Sequence, residues 1–166
     1  AYMSALRQFY CWTEVCMFYP NIARSVKAPR SKNGFVKLPL TAEQAGELLD
    51  YLKSKSPRNY AIVNLILRTG LRTIEVSRLD VKDVVTKRGR RVLQVWGKGM
   101  SGKDSLVILN EPAWEPIKAY LATRKAVKGD EPLFVTDGKG HRGQRLSPRS
   151  IQDICKQSLR AIGLDS

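Results

Sequence analysis

A chain of 166 residues carries 29 lysines and arginines against 15 acidic residues, a formal charge of +14, with 43% hydrophobic content. That much apolar material builds one domain-sized core and excludes a disordered or fibrous chain, while the charge points to a polyanionic partner. No run approaches the ~18 apolar residues of a membrane span, the start lacks the order of a signal peptide, and three cysteines with a single histidine make neither a disulfide framework nor a zinc site, so the reading is a cytoplasmic protein without metal or cofactor.

Met3 to about Phe18 spaces Leu6, Phe9, Trp12, Thr13, Cys16 and Met17 at helical intervals, with no Pro or Gly inside. This predicts one helix that opens without a cap, which reads as a chain beginning inside a larger protein. Between Tyr19 and Pro39 the pattern gives way to three prolines among Arg24, Lys27, Arg30, Lys32 and Lys37, the composition of a basic, extended linker. Thr41-Ala-Glu-Gln44 spells a capping box, and Ala45, Leu48, Leu49 and Leu52 follow on one helical face. A second helix is expected over about Arg58 to Arg68, stopped by Gly70, and a third from about Ile74 to Leu79 with Thr73 as its cap. Arg91 to Trp96 and Ser105 to Leu109 are apolar and β-branched runs around Gly97-Lys98-Gly99-Met100-Ser101-Gly102-Lys103-Asp104, a hairpin with a long glycine-containing loop. Then come a helix over about Pro112 to Arg124, a short extended piece Leu133 to Val135, a basic loop Lys139 to Arg145, and a last helix with Ser147 as cap, Pro148 at its first position and Gly163 at its close. Without alternating strand–helix units, the order fits an α+β domain, mostly helical with a small antiparallel sheet, rather than a doubly wound one.

Two segments carry candidate chemistry. In Thr69-Gly70-Leu71-Arg72-Thr73-Ile74-Glu75 an arginine sits in a glycine turn at a helix start, where a guanidinium beside free amides suits a phosphate, and Glu75 is spaced to orient it. Taken alone, such an arginine is more often a solvated surface charge or ion pair than a phosphate ligand. Lys98, between two glycines, can be carried onto a phosphate by a mobile backbone, and alone it reads as a charged hairpin tip.

In one chain and in this order, TGLRTIEVSRLDVKDV followed by LQVWGKGMSGKDSLVIL resembles the catalytic domain of tyrosine recombinases, the integrases of phages and conjugative elements. The likeness extends upstream through LTAEQAGELLDYL and downstream through LSPRSIQDICKQSLRAIGLD. It implies residues 1–19 as the last helix of a core-binding domain, 20–39 as a basic linker and 40–166 as the N-terminal part of the catalytic domain. It further implies double-stranded DNA as substrate, self-association as a tetramer on DNA, a bacterial cytoplasm, and strand cleavage and rejoining through a phosphotyrosine. Arg72 then corresponds to the arginine that stabilises charge on the phosphoryl oxygens, Lys98 to the general acid for the leaving 5′-oxygen, and Glu75 to the support of the arginine. The His-x-x-Arg motif and the nucleophilic tyrosine of the resemblance belong beyond Leu164. None of the six tyrosines present lies there, so these residues alone are expected to be inactive.

Arg24, Lys27, Arg30, Lys32, Lys103, Lys139, Arg142 and Arg145 remain as candidates for tracking the DNA backbone by counterion release. A competing reading of the same charge is a nucleic-acid-binding module, or a truncated regulator, that binds DNA without cutting it.

Overall fold

The protein is described by a computed structural model covering residues 2–27, 38–97, 102–138 and 142–164. Two compact units emerge, residues 1–38 and residues 39–166.

In the first unit, α1 spans Tyr2–Val15 and stops three residues before the expected Phe18. The reason is Met17, whose positive φ of 57° turns the chain so that the Phe18 amide reaches back to the Thr13 carbonyl. The segment that follows is not extended up to Val26. Short turns tie Ile22 to Pro20, Arg24 to Asn21 and Val26 to Ala23, and Arg7 donates to the Val26 carbonyl. An asparagine carboxamide that accepts the Ala23 amide starts this turn, a local bond the proline-centred reading overlooked. Arg30 and Lys32 lie outside the described residues.

The second unit begins with α2, Ala42–Lys55, whose capping box forms as spelled: the Thr41 hydroxyl accepts the Gln44 amide and the Gln44 side chain accepts the Thr41 amide. Ser56 closes α2 and opens α3, Pro57–Thr69, accepting the Asn59 amide. Gly70 ends α3 in the left-handed region, φ 66°, which a side chain would strain. That reversal delivers Arg72 to the start of α4, Thr73–Ser77.

A turn of 3-10 helix, Val81–Asp83, leads into the sheet. Its strands are β1, Val84–Lys87, β2, Arg90–Val95, and β3, Ser105–Ile108, antiparallel in the order β1-β2-β3. The sequence reading missed β1. Lys87 pairs with Arg90 across a two-residue turn in which Arg88 and Gly89 both have positive φ, the turn whose twist suits a hairpin, spelled here Arg-Gly instead of the usual Asn-Gly. β2 turns Leu93 and Val95 into the core and sets Arg91 over the Trp114 ring at 4.5 Å.

α5, Glu111–Ala122, contains Pro116, which supplies no amide to the carbonyl four residues before it. Asn64, fully buried on α3, fills that gap by donating to the Pro112 carbonyl at 3.0 Å, and is itself held by Arg68 at 2.9 Å. The residue that interrupts the apolar run of α3 is thus its dock on α5. α6, Pro148–Ala161, opens as predicted with Ser147 accepting the Ser150 amide. The main core joins Ala61, Ile62 and Leu65 of α3, Ile117 and Tyr120 of α5, Leu133, Phe134 and Ile151 to the sheet. A smaller cluster packs Leu48, Leu52 and Val63 with Ile154 and Leu159. The architecture is α+β, mostly helical with a small antiparallel sheet.

Candidate functional site

Arg72, not Thr73, stands at the N-cap of α4. An arginine offers no acceptor to the first-turn amides, so the capping falls to Glu75. One Glu75 carboxylate oxygen accepts the Arg72 backbone amide at 2.8 Å and the other accepts the Arg72 guanidinium at 2.9 Å. The Arg72 side chain is 69% exposed and that of Glu75 is 13% exposed. The acid is therefore the anchored member and the arginine presents its remaining N–H groups to solvent, where a phosphate oxygen can meet them. A helix of five residues carries little macrodipole, and the amide of its cap residue is already taken by Glu75, so attraction for an anion rests on the guanidinium.

Of the other predicted residues, Lys98 and Lys139 lie outside the described residues. Arg24 and Lys27 are exposed in the first unit, Arg24 with Glu14 at 3.5 Å, and Arg142 is exposed in the second. Lys103 and Arg145, grouped with them in the sequence reading, have acceptors inside the chain. Lys103 Nζ meets Asp80 at 2.8 Å and also meets Asp83, and its side chain is only 20% exposed. Arg145 donates to the carbonyls of Ser77 at 2.9 Å and Leu79 at 3.0 Å, and pairs with Asp80. Burial pushes the Asp80 carboxyl up, but the hydrogen bonds and charges of Arg145 and Lys103 outweigh it and hold the group below its ordinary value.

Asp80 and Asp83 escaped the sequence reading, since a lone Asp-Val-Lys-Asp carries no mark of its distant partners. Among the described residues no set of His, Cys, Asp and Glu could hold a metal ion, and no helix is long and apolar enough to cross a membrane.

Comparison with known proteins follows the same lines. The chain is 30% identical to the tyrosine recombinase XerC of Thermodesulfovibrio yellowstonii over 173 residues, covering 98% of this chain and 54% of that protein. It is also 30% identical to the tyrosine recombinase XerA of Pyrococcus furiosus over 125 residues, covering 75% of this chain and 42% of that protein. It thus spans about half the length of the curated relatives it matches. The fold superposes on the crystal structure of XerA recombinase with a TM-score of 0.64 at 22% identity, over 98% of this chain and 54% of that one. A second match is the XerH site-specific recombinase bound to its difH substrate, with a TM-score of 0.59 at 22% identity, over 82% of this chain and 40% of that one. The model of the phage integrase family matches residues 39–166, and the chain belongs to that family.

Proposed function

We propose that residues 39–166 form the N-terminal part of the catalytic domain of a DNA breaking-and-rejoining tyrosine recombinase, active in site-specific recombination. Residues 1–19 are then the end of its core-binding domain. The observation that carries this reading is the Arg72–Glu75 pair: an exposed guanidinium aimed by an anchored carboxylate, in the turn to which the sequence resemblance assigns the phosphate-binding arginine. Charge builds on the non-bridging phosphoryl oxygens when a tyrosine attacks a phosphodiester, and a preoriented guanidinium stabilises it there without reorganising. Lys98 is the general acid of the same reaction, and double-stranded DNA is the substrate, held in part by exposed bases such as Arg24, Lys27 and Arg142. The complete enzyme works as a tetramer on DNA in the cytoplasm.

A salt titration tests the reading on the chain itself. Binding to unrelated duplexes is expected to weaken linearly in log–log form as salt rises, and Arg72→Ala is expected to lower that slope by about one counterion. Binding that is flat in salt, or absent at low salt, overturns the DNA reading. A covalent adduct formed by these 166 residues on a suicide substrate would show that the nucleophile is one of the tyrosines present and that the assignment of the catalytic residues is wrong.

A further inference from the structure

We propose that Arg145 is a positioning residue for Arg72, tying off the far end of the helix that presents it, and that Asp80, shared with Lys103, holds Arg145 in that role. The proposal rests on the reading of Arg72 as the phosphate ligand.

α4 has only five residues, too few to sustain themselves by their own hydrogen bonds, since nucleating a helix costs more than one turn returns. Its ends therefore need partners beyond the backbone ladder of the helix. At the N-terminus Glu75 supplies one. At the C-terminus Arg145 supplies two, donating to the Ser77 and Leu79 carbonyls from a position 66 to 68 residues downstream. The buried Ser77 hydroxyl adds a bond to the Leu146 carbonyl at 2.6 Å, so consecutive residues 145 and 146 grip the same helix end. Asp80 fixes the fork: one oxygen takes Arg145 and the other takes Lys103. Asp83 accepts both Lys103 and the Asp80 backbone amide, the latter at 2.6 Å.

Charge separates this role from a DNA contact. Two carboxylates and two cations sum to zero in this cluster, so it gives no net attraction for a phosphate backbone, and the bonds that Arg145 and Lys103 make run to acceptors inside the chain. What the cluster fixes is geometry. Val76 of α4 is 1% exposed in the core, so a shift at the Ser77 end pivots the helix about a packed residue and moves Arg72 at the other end.

The test uses the 166-residue chain, a short duplex of arbitrary sequence, and two variants. Arg145→Lys keeps the charge but cannot span two carbonyls and a carboxylate. The expected result is an affinity loss and a fall in salt slope of about one, as for Arg72→Ala, with the double variant no weaker than Arg72→Ala alone. Asp80→Asn removes a negative charge, which strengthens binding if Arg145 and Lys103 contact DNA, whereas loss of positioning weakens it. The Arg72 Nε–Hε resonance is the second readout. It is expected to shift in both variants and to stay in place in Arg91→Lys, which alters the Trp114 contact instead. Unchanged or tighter binding, additive losses, or an unmoved Arg72 resonance overturn the proposal. If the parent chain binds no DNA, the functional reading fails while the resonance still decides whether Arg145 positions Arg72. Circular dichroism screens each variant for folding, and either variant suffices.

Discussion

Glu75 holds Arg72 at two points, the backbone amide and the guanidinium, through the two oxygens of one carboxylate. As a surface ion pair this contact would be worth only ~0.3–0.5 kcal/mol. As a cap it satisfies an amide at the head of a five-residue helix, and loss of a cap costs ~0.5–2 kcal/mol. Glu75→Ala is therefore expected to lower the melting temperature by about 2–4 °C per kcal/mol lost. Glu75→Gln retains an acceptor for the amide and is expected to lose less. A Glu75→Ala variant melting with the parent chain would show that the carboxylate does not cap α4.

The Asn64–Pro112 bond exists because Pro116 leaves a carbonyl without its helical donor. Asn64→Leu strands that carbonyl and the Arg68 guanidinium together, and a loss of ~1–3 kcal/mol is expected in chemical denaturation. Pro116→Ala restores the helical amide and is expected to recover part of the loss in the double variant. Additive losses in that cycle would exclude the link between the two positions.

Asp80 is a carboxyl whose folded pKa lies below its ordinary value of 3.8. A group depressed in this direction contributes stability that is present above the unfolded value and is lost as pH falls through the folded one. The stability gap between the parent chain and Asp80→Asn is thus expected to stay constant from neutral pH down to about pH 4 and to narrow below it. Denaturation curves across that range measure the gap, and a gap that widens on acidification contradicts the assigned partners.

Under the proposed recombinase function, Arg72 and Lys98 of the full-length protein are expected to fail differently. Loss of one preorganised donor to developing charge costs ~10²–10³ in rate, which sets the scale for Arg72→Ala. Lys98→Ala should be rescued by a 5′-thio substrate, whose leaving group needs no proton, and Arg72→Ala should not. Cleavage rates on matched oxygen and sulfur substrates decide the point. Equal rescue of both variants, or of neither, removes Lys98 as the general acid.

Local signals in the chain determined much of this protein. Thr41 and Gln44, Ser147 and Pro148, and Gly70 place helix ends because caps and left-handed turns act within a few residues. The pairing of an arginine turn with a Gly-Lys-Gly hairpin pointed to the family that the comparisons show. Thr73 misled because Ser and Thr are common caps, while the cap here is made by the acid three residues beyond Arg72. Only the tertiary structure shows which bases have acceptors inside the chain. Lys103 and Arg145 match Arg142 in composition and surroundings, and what separates them is Asp80, 23 and 65 residues away in the chain and within hydrogen-bond reach in space. Asn64 shows the same limit. Its partner is a carbonyl 48 residues away, freed by a proline in another helix, and a side chain's role at that separation is set by packing, which no sequence window contains.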